Sequence, residues 1–350
     1  MTQNAQSDGR IIELDGLRAI AVLAVIVDHV CVFSLDGSGR FGGFAFSVGL
    51  AGVRYFFVLS GFVILRGLLH ENEATGRISL GGFWIRRCSR ILPAFWTYLL
   101  AVWLLGVSRI IHTDLHSLMW SALLVANVVH VDWFHRHIWS LSVEEQFYVL
   151  GPLITLVILR RRRGSVAFVL GSIYLGCLFW QRVEREFAAL HIPASLEFLS
   201  MFRFICAGVM LGFSHRNFAG LFRRVPGVLV AAVALLTVFL PESPANHWAQ
   251  ICCQGLQPLG IAGVVGWIAL ERDRCRWLCW PILQWLGRRS YSLYLWQQLY
   301  LGPSQLFGFA VNGIVKTFAL TLVFASGALS YRFVEKPVIA LGRRVAVRLR

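Results

Sequence analysis

The sequence predicts an all-α, polytopic integral membrane protein with about ten transmembrane helices and with both termini in the cytoplasm. Hydrophobic residues make up 57% of the 350 residues and charged residues only 15%, too few to cover a soluble surface. Several apolar runs approach about 20 residues, the length that crosses a hydrocarbon core. Arginines, which supply most of the net charge of +15, cluster in short segments between these runs.

The order of the apolar runs sets the predicted topology. We predict spans at about 15–35, 46–66, 93–109, 139–159, 166–182, 198–214, 227–241, 251–270, 286–302 and 314–333. Every strong arginine cluster, including Arg160–Arg163, then lies on the side of both termini, as the positive-inside rule requires. A further span at 118–131 would break this rule. We therefore predict an interfacial or re-entrant outer element for 110–140, a cytoplasmic lead at 1–13, a membrane domain at 14–338 and a basic cytoplasmic tail at 339–350.

Several other classes of site are not predicted. The arginines form no continuous basic face, so a nucleic-acid partner is not expected. None of the eight cysteines forms a Cys-x-x-Cys pair and most lie in apolar runs, which predicts neither a zinc site nor a disulfide framework. Histidines are frequent in 110–140, but only His112 and His116 have a ligand-like spacing, so no metal is predicted. The polar start of the chain lacks a cleavable signal.

Ionisable residues inside the first predicted span indicate a functional site. Arg18 and His29 are eleven residues apart, which places them on nearly the same helix face, with a rise of about 16 Å between them. A snorkelling arginine alone would be unremarkable, but charged groups within a bilayer are costly and usually face a wet cavity. The additional presence of Asp15 and Asp28 favours a site.

Two stretches near the following spans carry candidate residues. Ser60 precedes Gly61, a small pair that allows close helix packing. A nucleophilic role for Ser60 stays possible, although no Gly-x-Ser-x-Gly elbow surrounds it. Arg87 and Arg90 share a face if this segment is helical, and arginine forks suit phosphate. They also fit an ordinary cytoplasmic basic flank.

Later stretches add carboxylates and tyrosines. Ser142 is a candidate helix cap with Glu145 as its capping-box partner, and two glutamates at a helix start also complement the helix dipole. The ninth predicted span contains Tyr294 and ends its motif in Gln297. The last span ends in Glu335-Lys336-Pro337, where the proline is expected to stop the helix.

These stretches together resemble the family-3 membrane acyltransferases, bacterial O-acyltransferases that decorate envelope polysaccharides and some secreted small molecules. The family pattern is carried by Leu14–Ala19 with Arg18 and His29, by Tyr55–Ile64, by Arg87-x-x-Arg90 before Pro93, by Trp139–Tyr148, by Ser290–Gln297 and by Ser330–Pro337. The pattern places Glu144 on a functional position. This sequence departs from it at Gln297, where the family usually has histidine.

The resemblance implies an O-acetyltransferase in the bacterial inner membrane that uses acetyl-coenzyme A, or another acyl-coenzyme A, as donor substrate and holds no permanent cofactor. The implied acceptor is a hydroxyl of an envelope glycan or glycosylated compound. Within that frame, His29 is the candidate general base, because its ordinary pKa lies near neutral pH. Glu144 or its rival Asp28 would orient it. Donor binding would fall to Arg18, Arg87, Arg90 and Asp15, with Glu145, Ser60, Tyr294 and Glu335 in supporting roles.

Two expectations concern what lies beyond this domain. The chain stops soon after the tenth predicted span, so we expect no fused hydrolase-like domain of the kind that some relatives carry. A secondary transporter for a solute or lipid-linked sugar remains the alternative class, because intramembrane charges suit it too. The sequence leaves the oligomeric state open.

Overall fold

The computed structural model describes residues 10–35, 39–159, 163–189, 197–215, 217–240, 247–303 and 313–349. Every regular element within these ranges is helical, which confirms the all-α prediction. The α-helices are α1 (Glu13–Leu35), α2 (Gly39–Thr75), α3 (Leu80–Val107), α4 (Leu115–Ala122), α5 (Trp133–Arg136), α6 (Ile138–Leu159), α7 (Arg163–Ala189), α8 (Glu197–Ser214), α9 (Ala219–Arg224), α10 (Gly227–Phe239), α11 (His247–Leu270), α12 (Pro281–Arg288), α13 (Ser290–Tyr300), α14 (Gly313–Ser330) and α15 (Lys336–Arg348). A 3₁₀ segment covers Arg272–Cys279, and a π-helical turn covers Tyr331–Glu335.

The helices have the dimensions of a membrane protein. Within the described residues, four helical stretches can cross a bilayer by length and composition: Gly43–Thr75, Leu80–Val107, Cys252–Leu270 and Gly313–Arg348. Large apolar side chains cover the outward faces of α3, α10 and α14, for example Trp96, Leu235 and Phe318. Such a surface suits lipid contact. The count of ten spans and the side of the termini stay predictions, and Arg160–Arg162 lie outside the described residues.

Helix α2 forms the centre of the bundle and packs against α1 and α8. Its contact with α8 is made by glycines: a Cβ added at Gly61 would lie 2.2 Å from the Ile205 carbonyl oxygen, and one at Gly208 would lie 2.1 Å from that of Val58. The two backbones are therefore in direct contact. This confirms that the Ser60-Gly61 pair allows a close helix approach.

We expect Gly61→Ala to destabilise the protein, because the added methyl group forces α2 and α8 apart. Overpacking of this kind costs about 1–3 kcal/mol. Gly67→Ala on the same helix is the matched control, since a Cβ there meets nothing within 4 Å. Thermal unfolding in detergent should show a lowered midpoint for Gly61→Ala alone. Equal midpoints for the two variants would contradict the close contact.

Two predicted helix starts are wrong. Helix α3 begins at Leu80, where Ser79 caps it by accepting a hydrogen bond from the Gly82 amide at 3.1 Å, so Pro93 lies inside the helix. Helix α6 begins at Ile138, and the Ser142 hydroxyl donates to the Ile138 carbonyl within the helix at 3.0 Å. Ser142 is therefore no cap. Glu145 is two turns inside the helix, which removes the interpretation that it complements the helix dipole.

The C-terminal helical region also differs from prediction. The predicted ninth span is divided at Arg289 into α12 and α13. Pro337 does not stop the last helix, because the π turn precedes it and the proline occupies the first turn of α15, where a missing N–H breaks no helical bond. Most of the predicted tail 339–350 is thus α15. This helix lies against α3, with Gly342 in contact with Ser89.

Residues 110–140 form the predicted non-spanning element. Helix α4 has eight residues, or about 12 Å of rise, which is too short to cross a bilayer. Asp132 ties the element together by accepting hydrogen bonds from Thr113 at 2.6 Å and from the His135 ring at 2.8 Å. Burial acts to raise the pKa of Asp132, but the bonds from His135 and Thr113 offset this, so the pKa lies below its ordinary value. The carboxylate therefore stays charged at neutral pH.

Candidate active site

Two adjacent cavities are both lined by residues of α1, α2, α3 and α13. The larger, of about 520 Å³, has eight arginines and only three carboxylates in its wall. The smaller, of about 80 Å³, is lined by Ser60, Glu144, Glu145, Tyr148 and Tyr294, among others. Five residues belong to both walls: Arg18, Val63, Arg87, Arg90 and Tyr291. The larger, basic cavity therefore borders a small pocket that is rich in hydroxyl and carboxyl groups.

Arg18 is held in this wall by Asp15. The buried Asp15 carboxylate accepts a hydrogen bond from the Arg18 guanidinium at 3.1 Å, and Arg10 binds its other oxygen. The backbone beneath Asp15 is fixed as well, since a Cβ on Gly287 would lie 1.8 Å from the Asp15 carbonyl oxygen. Asp15 thus positions Arg18.

Arg87 and Arg90 lie on one face of α3, as predicted, and both line the two cavities. The Arg87 guanidinium lies over the Tyr148 ring, 5.2 Å from its centroid, and 5.6 Å from that of Phe83. Stacking on two aromatic rings leaves the edges of a guanidinium free to bind an oxyanion. The three predicted donor-binding arginines, Arg18 included, are therefore brought together.

Glu144 is the centre of the small pocket. Its carboxylate accepts hydrogen bonds from the Ser60 hydroxyl of α2 and, at 2.5 Å, from the Tyr148 hydroxyl one turn along α6. Glu145 lines the same pocket. A carboxylate that takes two hydroxyl donors beside Arg87 has a fixed orientation and can accept a proton from either hydroxyl.

Tyr294 of α13 lines the same small pocket. Its hydroxyl donates to the His137 carbonyl at 3.1 Å and lies 2.6 Å from the Ser140 hydroxyl. Tyr294 therefore joins α13 to the start of α6. Gln297, one turn further along α13, is fully buried and donates to Gln298 at 3.4 Å.

Glu335 lines the larger cavity. The π turn Tyr331–Glu335 brings this buried carboxylate to Ser292, whose hydroxyl donates to it, and Ser330 is 3.4 Å away. Such turns recur at functional sites, because they redirect one side chain without ending the helix. Arg90 is close enough to interact with Glu335 electrostatically.

His29 lies outside the walls of both cavities, on the far side of Arg18 along α1. Its Nδ1 is 2.9 Å from the Val25 carbonyl oxygen, which can only accept, so this nitrogen carries the proton. The lone pair of the neutral ring is then on Nε2. The Trp133 ring lies 5.8 Å away, and Gln298 interacts with the imidazole. This tautomer suits a general base.

The two orienting partners predicted for His29 have different surroundings. Glu144 binds Ser60 and Tyr148, so it has a different set of neighbours from His29. Asp28 interacts electrostatically with His29 and packs against Gly49 of α2, where an added Cβ would lie 2.5 Å from the Asp28 Cβ. The predicted site thus has two centres, one formed by the arginines and Glu144 and one by His29 with Asp28.

Comparison with known proteins identifies the family. The model of a family described as an acyltransferase domain matches residues 11–331. The chain belongs to this family. It is 31% identical to a Staphylococcus aureus (strain COL) protein named "Putative O-acetyltransferase SACOL0978" and 27% identical to the O-acetyltransferase OatA of Staphylococcus aureus (strain NCTC 8325 / PS 47). Each match covers 93% of this chain and 56% of the relative, so the chain spans about half the length of these relatives. No solved structure matches it.

The described residues offer groups suited to acyl transfer in two places. Arg18, Arg87 and Arg90 can hold an anionic donor, while Glu144 and its hydroxyl partners face the narrow end of the same space. His29 can take a proton from an acceptor hydroxyl.

Sequence reasoning missed Tyr148 and five of the eight arginines that line the larger cavity. Tyr148 is four residues after Glu144 and thus on its helix face, so the spacing could have revealed it. Arg288 and Arg343 also line the larger cavity. No sequence signal marks them, because each looks like an ordinary basic flank of a membrane helix.

Proposed function

We propose that the protein is an O-acetyltransferase of the bacterial inner membrane, which moves an acetyl or other short acyl group from acyl-coenzyme A to a hydroxyl of an envelope glycan or glycosylated small molecule. Family membership and the names of the relatives support acyl transfer. The observation that carries the choice of donor is the shape and charge of the paired cavities.

Acyl-coenzyme A has a bulky polyanionic head and a thin arm that ends in the thioester. The larger cavity offers space of about 520 Å³ and a strongly positive wall for the head. The pocket of about 80 Å³ can admit the end of an arm with a short acyl group. Arginine forks match phosphate oxygens, and their desolvated surroundings strengthen that attraction. The acceptor would approach from the side of His29, about 16 Å above Arg18 along α1.

The decisive experiment is thioester consumption by the purified protein in nanodiscs. Release of free coenzyme A from acetyl-coenzyme A, followed with a thiol reagent in a cysteine-free variant, should require the protein and increase with an acceptor glycan. A secondary transporter would bind or move a solute without consuming the thioester. The acceptor can be identified by mass spectrometry of envelope O-acetylation with and without the gene.

Arginine geometry at the donor site gives a second test. We expect the double variant Arg87→Lys/Arg90→Lys to raise the apparent KM for acetyl-coenzyme A by about 10-fold or more, because lysine cannot bind phosphate as a bidentate fork or stack on Tyr148. The KM for the acceptor should change little. Initial rates at varied donor and fixed acceptor measure this. A normal KM for the donor would show that these arginines serve only to fix the membrane topology.

The donor route also predicts which surfaces each side of the membrane can reach. In a cysteine-free background, His112→Cys should react with a membrane-impermeant maleimide in intact spheroplasts, whereas Arg344→Cys should react only after lysis. Both positions are exposed. Labelling of position 344 from outside would overturn the cytoplasmic entry of the donor. The predicted topology also assigns positions 36, 162 and 243 to one side of the membrane, but these positions lie outside the described residues.

A further inference from the structure

We propose that Arg288 and Arg343 form a separate phosphomonoester subsite at the mouth of the larger cavity, which takes the 3′-phosphate of coenzyme A. This rests on the donor proposed above and adds a second point of recognition to it. The subsite lies apart from the arginines that the sequence motifs mark.

The eight arginines of the larger cavity fall into two groups by depth. Arg18, Arg87 and Arg90 also line the small pocket, so they surround its entrance. The other five line only the larger cavity. Of these, Arg10, Arg288 and Arg343 are exposed to solvent, which places them at the mouth.

The positive charge at the mouth is not neutralised by the protein. Arg10 binds Asp15, and Arg86 binds Glu71 at 2.7 Å, so both have a carboxylate partner. In the part of the chain that the structure describes, neither Arg288 nor Arg343 has a carboxylate within ion-pair distance. Two arginines that face one cavity without such a partner favour an anion from outside.

Helix packing fixes the direction of Arg343. A Cβ at the preceding Gly342 would lie 2.2 Å from the Ser89 Oγ, and Ala346 is buried one turn later. The Ser79 hydroxyl donates to the Leu349 carbonyl at 2.9 Å and holds the end of α15 on α3. With this face against α3, Arg343 reaches the cavity wall, while its neighbour Arg344 does not form part of it.

Arg288 is fixed from the other side. It is the last residue of α12, directly after Gly287, whose backbone touches that of Asp15. The rigid contact between α12 and α1 therefore sets the position of Arg288 relative to Arg18. The mouth and the deep arginines belong to one packed unit.

The chemistry of the donor matches this division. Coenzyme A carries a diphosphate next to its pantetheine arm and a phosphomonoester on the ribose, further from the thioester. With the thioester in the small pocket, the diphosphate meets the deep arginines and the monoester lies towards the mouth. A phosphomonoester carries about 1.5–2 negative charges at pH 7, which two arginine forks can bind.

The test compares acetyl-coenzyme A with acetyl-dephospho-coenzyme A, which lacks only the 3′-phosphate. In phosphatidylcholine nanodiscs, we expect the unaltered protein to show a KM about 10-fold higher for the dephospho donor and a similar kcat. Arg343→Gln, Arg288→Gln and their combination should raise the KM for acetyl-coenzyme A towards the dephospho value. These variants should leave the dephospho KM nearly unchanged. Arg344→Gln is the matched control and should keep the full discrimination.

Three outcomes would overturn the subsite. Equal KM values for the two donors in the unaltered protein would show that the 3′-phosphate is not recognised. An equal rise in the KM for both donors in Arg343→Gln would indicate a non-specific charge effect. Discrimination that disappears when phosphatidylglycerol is added would assign these arginines to a lipid headgroup. If neither thioester were consumed, the proposed donor itself would fail, which is a distinguishable result.

Discussion

His29→Ala should reduce acyl transfer by about 10²–10⁴-fold, the range that a positioned general base contributes. The Val25 carbonyl holds the proton on Nδ1 and leaves Nε2 as the basic atom, so alanine removes the function and leaves the helix intact. Because His29 lies outside both donor cavities, the affinity for acetyl-coenzyme A should stay within about 3-fold of normal. Initial rates and donor binding, measured on the same nanodisc sample, test both statements.

A second histidine provides the control for this variant. The His215 ring also lies 3.0 Å from a backbone carbonyl, that of Gly212, and like His29 it lines neither cavity, but it packs edge-on against Phe62 of α2. His215→Ala should keep near-normal transfer. Near-normal activity of His29→Ala would refute the catalytic assignment, and simultaneous loss of donor binding would indicate a damaged fold instead.

The sequence predicted the helical class and the arginine cluster well, because both follow from local patterns. Apolar run length predicts membrane helices, and a spacing of three predicts that Arg87 and Arg90 share a face. The small Ser60-Gly61 pair also indicated a close helix contact. Each of these predictions was made from residues that are near one another in the sequence.

The errors concern helix ends and contacts between distant helices. Pro93 was expected to start a span and Pro337 to stop one, yet Pro93 lies inside α3 and Pro337 lies in the first turn of α15, directly after the π turn. The partner of Glu144 is Ser60, 84 residues earlier in the chain, and the Gly342–Ser89 contact joins α15 to α3. Such pairs depend on how the helices pack, which a single sequence does not specify. For the same reason Arg288 and Arg343 carry no sequence signal.

Glu144→Gln should reduce acyl transfer by about 10²-fold or more, because the pocket loses both a charge and a proton acceptor. The Ser60 and Tyr148 hydroxyls both donate to the same carboxylate oxygen, so the amide oxygen of glutamine can keep both hydrogen bonds. The variant therefore removes the negative charge and the proton acceptor while it preserves the packing of the pocket. Turnover at saturating donor should therefore fall more than donor affinity.

Two variants separate the role of Glu144 from that of its neighbours. Ser142→Ala is the folding control, since that hydroxyl bonds only within α6. Ser60→Ala decides whether Ser60 carries the acyl group or only holds Glu144. We expect a loss of about 10-fold or less, because no nucleophile elbow surrounds Ser60 and its hydroxyl donates to Glu144. If Ser60→Ala instead abolished transfer and mass spectrometry found an acylated Ser60 in the unaltered protein, Glu144 would be the base for a covalent mechanism. The direct attack of the acceptor on the thioester would then be excluded.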